Sequence, residues 1–342
     1  MRQRLKIGQN LSEKQFLQEA LALFHFQFEN NLIYNEFCKR LQVKLEQVDS
    51  LEKIPFLPIS FFKTHKVVTT DFNEEMIFYS SGTSGKETSK HYIKSLALYE
   101  KSIVEAFRFF YGDPRAYNFF ILLPNYLENK QSSLIFMMDK LITAANSGEK
   151  NPSGFYLADH DILYRQLIDE QKSAEKKTIL FGVSYALLDF VKKYQLNFPK
   201  LIVFETGGMK GRGKEIVKEE LHAILKSGFG VKHIHSEYGM CELLSQAYSK
   251  GGNLFSTPPW MKLLLRDEKE PIYSSLTSHS GIINVIDLAN IYSCAFIATE
   301  DIGRKNEDNQ VEILGRLDAT QIRGCNLLGC TTEFPFIQPS CE

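Results

Sequence analysis

Between about residues 75 and 250 the chain alternates short apolar runs with longer amphipathic stretches. That alternation restricts the fold more than any other feature. It is the pattern of a largely parallel sheet flanked by helices, an α/β architecture. Strands are expected over 76–80, 118–123, 178–181, 201–205 and 231–235, with helices over 96–110, 132–145, 185–194 and 213–225 between them. After about Gly252 the helical periodicity stops. The runs 282–287, 294–298 and 311–314 read as strands of a smaller, antiparallel sheet. Before residue 70 the chain reads as helical, with Ser12 and Gln15 spaced for a capping box. Two prolines in Ile54-Pro55-Phe56-Leu57-Pro58-Ile59 force that stretch to be extended.

The expected organisation is a helical N-terminal segment (1–70), an α/β core (71–250), a smaller β subdomain (251–328) and a C-terminal tail (329–342). No Pro/Gly/Ser-rich linker divides these parts, so they read as subdomains of one unit. A chain of 342 residues, 44% apolar, is long enough for a sizeable core. Forty basic against 41 acidic side chains gives no electrostatic footprint for nucleic acid or an anionic membrane. No apolar run is long enough to span a bilayer and no signal-peptide pattern opens the chain, so a cytoplasmic location is expected. The six cysteines form no Cys-x-x-Cys pair.

Ligands of α/β sheets sit beyond the carboxyl ends of the strands, and several unusual stretches fall there. The first is Phe78-Tyr79-Ser80-Ser81-Gly82-Thr83-Ser84-Gly85-Lys86. It is not a Walker A loop, because Ser80 and Glu87 occupy positions that motif reserves for Gly and Ser/Thr. Its glycines still allow backbone N–H groups to approach phosphate oxygens, with hydroxyls and Lys86 adding donors and charge. A solvated hairpin turn is the structural alternative. The second is Glu237-Tyr238-Gly239-Met240-Cys241-Glu242, where Glu242 is a candidate Mg²⁺ ligand and Tyr238 can present its ring to a base. In the third, Thr299-Glu300-Asp301, the Asp is suited to two ribose hydroxyls. The fourth is Gly315-Arg316-Leu317-Asp318, whose Arg can reach ribose or phosphate. Each has a bland reading as a cap, turn or surface ion pair.

Taken in order, these stretches resemble the adenylate-forming superfamily of acyl-CoA synthetases, firefly-type luciferases and peptide-synthetase adenylation domains. The runs IPFLPISFFKTHKV, YSSGTSGKETSKH, EYGMCELLSQAY, PPWMKLLLRD, INVIDLANIYSCAFIATEDIG and GRLDATQIRGCNLL resemble the LuxE-type acyl-protein synthetases, over about residues 54–328. The resemblance implies the large N-terminal domain of that fold, with mixed and parallel sheets flanked by helices, a smaller β subdomain and no C-terminal cap domain. It implies ATP and Mg²⁺ as cofactors. Ser81, Thr83, Ser84, Gly85 and Lys86 would hold the β- and γ-phosphates, and Gly207-Gly208 would lie along adenine. Tyr238 would stack on the purine, Glu242 hold Mg²⁺, Asp301 take the ribose, and Arg316 complete the site. The family pattern has Thr where this chain has Cys241, a weaker donor, which puts an α-phosphate contact there in doubt.

The implied chemistry is activation of a carboxylic, and by family a fatty, acid to acyl-AMP. A cysteine of the enzyme then takes the acyl group and hands it to a partner such as a reductase or transferase. Lys86 would act with Mg²⁺ on the leaving pyrophosphate. Cys325, beside Arg323, is the favoured acceptor and Cys341 the alternative. Three other readings remain open. One is a non-catalytic binder, another a CoA ligase working with a separate cap domain, and the third a serine acyltransferase using Ser184. The last rests on Phe181-Gly182-Val183-Ser184 between a strand and a helix. Asp267 and His279 would be its partners, but they lie close together, and a helix N-cap is the simpler role for Ser184. His233 and His235 share one face of the expected strand and read as structural rather than as a metal pair.

Overall fold

The computed structural model describes residues 7–80, 88–123, 131–146, 152–157, 159–173, 175–207, 216–267 and 279–317. Helix α1 (Glu13–Asn30) opens with the expected capping box, Ser12 and Gln15 satisfying each other's backbone N–H. Asn31 ends it and caps α2 (Leu32–Arg40), accepting from the Tyr34 amide at 3.0 Å. The proline-bearing stretch is extended and forms β1 (Leu57–Pro58), followed by the single turn α3 (Phe61–Thr64). Next come β2 (Met76–Tyr79), β3 (Lys90–Ile93) and α4 (Leu96–Tyr111). The alternating region continues as β4 (Tyr117–Leu122), α5 (Ser133–Ala145), β5 (Gly154–Phe155), α6 (His160–Ser173), β6 (Lys177–Val183) and α7 (Ser184–Lys193). It ends with β7 (Ile202–Thr206), α8 (Lys218–Phe229), β8 (Ile234–Tyr238) and β9 (Ala247–Ser249). The last part is β10 (Leu254–Phe255), β11 (Met261–Arg266), β12 (Ser280–Asp287), β13 (Phe296–Lys305) and β14 (Val311–Arg316).

The core sheet runs β5-β4-β6-β7-β8-β9, parallel except for the antiparallel β9 at its edge. Strand β4 is buried at every position, as a sheet covered on both faces requires. The second sheet runs β10-β14-β13-β12-β11 and is antiparallel, with β1 added in parallel to β13. Through β1, the first seventy residues contribute to this sheet as well.

Several expectations shift. The run 76–80 is not a strand of the parallel sheet; β2 pairs with β3 in a separate antiparallel hairpin, Tyr79 opposite Lys90. The Ser/Thr/Gly stretch is thus the connection of a hairpin. Ser80 and Ser89 close its base, the Ser89 amide donating to Ser80 Oγ at 2.9 Å. Strand β8 begins three residues later than the apolar run suggests. Gly230, at φ +67°, ends α8 in the left-handed conformation, and the Val231 amide is still held by Lys226 O at 3.1 Å. The strand then runs through buried Ser236 and Glu237, whose side chains have polar partners.

Helix α8 also reaches four residues beyond the expected end. Gly228 permits this, since a Cβ there would lie 2.6 Å from Val191 on α7. Ser184 is the first residue of α7, and Val183 is the N-cap. Its hydroxyl caps nothing, because its one proton is shared between the Gly207 carbonyl at 2.6 Å and Glu205 Oε2 at 3.1 Å.

Candidate nucleotide site

At the carboxyl edge of the core sheet, β7 and β8 end side by side, Glu205 opposite Ser236. Their last residues point alternately to the two faces, as strand geometry dictates. On the α8 face, Glu205 accepts from Ser184 Oγ at 3.1 Å and Ser236 Oγ at 2.7 Å, and pairs with Lys218 Nζ at 3.1 Å. His222 Nε2 lies 3.4 Å from the same carboxylate. Burial pushes the Glu205 carboxyl up, but His222, Lys218 and Ser236 outweigh it and hold the group down at about 2. Through Ser184 this cluster grips the Gly207 carbonyl. Gly207 sits at φ +65°, in the left-handed region that glycine enters without a Cβ penalty.

On the opposite face the situation inverts. Glu237 is buried with Thr206 Oγ1 donating to it at 2.7 Å, and burial pushes its carboxyl up to about 7. The side chain of Glu237 also fills the space over Gly239, where a Cβ would stand 2.4 Å from Oε1.

Tyr238 ends β8 and joins the two sheets. Its hydroxyl donates to Asp301 Oδ2 at 2.7 Å, while its ring meets Phe255 at 6.0 Å between centroids. Asp301 on β13 stands directly opposite Arg316 on β14. The Arg316 Nε lies 3.8 Å from Asp301 Oδ1 and 3.4 Å from Glu300 Oε2, pairs too open to solvent to add much stability. Burial raises the Asp301 carboxyl, opposed by the Tyr238 hydroxyl and Arg316. Tyr238, Asp301, Arg316 and the Thr206-Gly207 turn, read separately in the sequence, are thus brought together by adjacent strands and one interstrand hydrogen bond.

Glu242 lies in the loop after β8 and is 4% exposed. Burial raises its carboxyl, opposed by the Ser89 hydroxyl and by the charges of Arg316 and Lys63. Among the described residues the Glu242 carboxylate has no direct ion-pair partner, and a buried carboxylate in that state gains most from a bound cation. Mg²⁺ takes one or two carboxylates and completes its shell with phosphate and water oxygens, so Glu242 fits that ion. Cys241 is buried, and burial together with the Glu242 charge pushes its thiol up, which disfavours the reactive thiolate. Its carbonyl accepts from His91 Nδ1 at 2.8 Å.

Ser81, Thr83, Ser84, Gly85, Lys86, Gly208, Cys325 and Cys341 lie outside the described residues. The described cysteines Cys38, Cys241 and Cys294 are all buried free thiols, and burial raises Cys38 to about 12. The serine acyltransferase reading gains no support from the geometry. Ser184 donates to a carboxylate and a carbonyl, with no imidazole placed to take its proton. His233 precedes β8, and His235 Nδ1 lies 3.0 Å from the Tyr111 hydroxyl. Among the described residues, no three His, Cys, Asp or Glu side chains cluster to hold a metal ion. No described helix is long and apolar enough to cross a membrane.

No family model matches the chain. A long-chain-fatty-acid–luciferin-component ligase of Vibrio harveyi is 25% identical over 351 residues, covering 93% of this chain and 88% of that protein. A 2-hydroxyisobutyryl-CoA ligase, solved with 2-HIB-AMP and CoA, superposes with a TM-score of 0.63 at 12% identity, covering 91% of this chain and 70% of that one. The fold is that of the adenylate-forming enzymes. ATP-bound MatB from Rhodopseudomonas palustris superposes at 0.51 with 18% identity, over 72% of this chain and 50% of that chain. This chain therefore spans about half the length of that structure. At these identities the solved structures speak for the fold alone, whereas the Vibrio alignment runs almost end to end. The chain thus has the adenylate-forming fold and is similar over almost its whole length to the Vibrio luciferin-component ligase.

The sequence offers no role for Glu205, Lys218 and His222, or for the side chains of Thr206 and His91, although Thr206 precedes the Gly207-Gly208 turn and His91 closes the YSSGTSGKETSKH run. The role of each depends on a partner distant in the chain. The only local signal was polarity inside otherwise apolar strands, at Glu205 and Glu237.

Proposed function

We propose that the chain activates a carboxylic acid, by relationship a fatty acid, with ATP and then carries the acyl group as a thioester on its own cysteine. The observation that supports this best is the line Tyr238–Asp301–Arg316 beside the Gly207 turn. It puts an aromatic face, a ribose-sized acceptor and a cation at the edge of an adenylate-forming fold. In this reading the Tyr238 ring covers the adenine against the Thr206-Gly207-Gly208 backbone. Asp301 accepts from ribose hydroxyls, and Arg316 approaches ribose or phosphate. Ser81, Thr83, Ser84, Gly85 and Lys86 bind the β- and γ-phosphates from the hairpin connection.

The substrate carboxylate attacks the α-phosphorus, forming an acyl–oxygen–phosphorus bond as the bond to pyrophosphate breaks. Lys86 carries a positive charge to the departing pyrophosphate. Bound through Glu242, Mg²⁺ would supply further charge neutralisation on the phosphates. A thiolate then attacks the acyl carbonyl, AMP leaves, and a thioester remains. Cys325 is the assigned acceptor, with Cys341 the alternative, and a reductase or transferase the receiving partner.

The test is pyrophosphate exchange across a panel of acids, followed by mass spectrometry of the C-terminal peptides. Acid-dependent exchange and an acyl label lost in Cys325→Ser are expected. Exchange that no acid stimulates would leave a nucleotide or acyl binder. Undiminished label in Cys325→Ser moves the thioester to another residue, and release of acyl-CoA by the chain alone would make it a CoA ligase.

A further inference from the structure

Glu242 is held in a way that packing alone does not require. The carbonyl of Cys241 accepts from His91 Nδ1 at 2.8 Å, and the carbonyl of Glu242 accepts from Asn290 Nδ2 at 2.7 Å. His91 lies on β3 and Asn290 in the turn after β12, and each is 1% exposed. These two carbonyls belong to the peptide planes on either side of the Glu242 α-carbon. Fixing both planes fixes φ and ψ at that residue, and with them the direction of its Cα–Cβ bond.

Two further bonds hold the next turn of the loop. The Leu244 and Ser245 amides donate to buried Asp287 Oδ2 at 2.7 and 3.0 Å. His91 Nε2 lies 3.1 Å from Asn290 Oδ1, so the two clamping side chains also meet. A carbonyl only accepts, so Nδ1 carries a proton and each carbonyl has its own donor, while Nε2 donates to Asn290 Oδ1 only when the ring is doubly protonated. Asn290 is anchored in turn, its carbonyl accepting from Gln27 Nε2 of α1 at 2.9 Å.

We propose that His91 and Asn290 are positioning residues that aim the Glu242 carboxylate at the cation accompanying ATP. The inference rests on the reading of Glu242 as that cation's ligand. Strand β3 leaves the hairpin whose connection carries the Ser/Thr/Gly run, so His91 ties the carboxylate loop to the strand that follows that run. A polar clamp on consecutive carbonyls sets an angle. An apolar pocket of equal volume fills the space without setting one.

The measurement is calorimetric affinity for ATP with Mg²⁺ and with EDTA, on the full chain, together with the melting temperature. The ratio of the two affinities is the metal advantage. It should fall at least fivefold in Asn290→Leu and His91→Leu, with the affinity in EDTA changed less than twofold. His91→Asn, whose amide nitrogen can take the place of Nδ1, should recover most of the advantage. Asn31→Leu is the control for burial, because Asn31 bonds Thr69 and the Ser293 carbonyl at equal depth without touching the Glu242 loop. It should lower the melting temperature and keep the advantage. If Asn290→Leu does not fold, Asn290→Asp removes the donor at constant size and should show the same loss. A full metal advantage in the folded Asn290 and His91 variants overturns the clamp and leaves the reading of Glu242 intact. No metal advantage in the wild type, or a full one in Glu242→Gln, overturns that reading and the clamp with it.

Discussion

Glu205 and Glu237 lie on neighbouring parallel strands, both buried, and their carboxyls are driven in opposite directions. On the α8 face, Lys218, His222, Ser184 and Ser236 surround Glu205 and hold it as a carboxylate at about 2. On the α4 face, Glu237 has the Thr206 hydroxyl and the nearby rings of Tyr99 and Tyr248, and burial raises it to about 7. Burial penalises both charges; the difference is made by partners supplied from other elements. One face is an ionic brace beneath the Gly207 turn. The other holds a carboxyl with a raised pKa among aromatic side chains.

The largest effect should come from breaking the brace. Glu205→Ala leaves Lys218 and His222 facing a buried gap, and unfolding in urea should show a loss of about 3 kcal/mol. The next test reverses the sign on the other face. The folded carboxyl of Glu237 lies above the unfolded value of about 4.3. Its contribution is therefore present at low pH and lost as pH rises through 7. Glu237→Gln removes that loss. At pH 8 the variant should gain on the order of 2 kcal/mol over wild type relative to their difference at pH 5, by denaturation at both pH values. Equal pH dependence of the two proteins would mean that Glu237 is ionised and the contrast between the faces false. The smallest effect is expected from Ser184→Ala, which cuts the link from the brace to the Gly207 carbonyl. It should cost about 1 kcal/mol of stability and weaken ATP binding a few-fold by calorimetry. A variant that bound ATP as tightly as wild type would separate the brace from the nucleotide.

The alternation of elements was legible because buried strands and amphipathic helices each carry their own periodicity. Where a polar residue sits inside a strand, the period fails. The apolar run places strand β8 three residues early because Ser236 and Glu237 look like loop residues until Glu205 and Thr206 appear across the sheet. Periodicity puts Met76–Tyr79 in the main sheet for a related reason: it has strand chemistry, and nothing local says which strand it pairs with. Among the site residues, Tyr238, Asp301 and Arg316 were recognisable from their neighbours in sequence. Their mutual contact was not, since it joins strands 63 residues apart.

The class of the fold, the order of its elements and the polar residues placed near the strand ends can be read from the sequence alone. These follow from periodicity, turn chemistry and motif order, all of which are local. Only the tertiary structure decided which carboxyls are charged, what holds Gly207 in its turn, and which side chains grip the backbone around Glu242. Those properties are set by distance and burial, and the partners that set them, such as Asn290 for Glu242 and Ser184 for Gly207, meet only when the chain is folded.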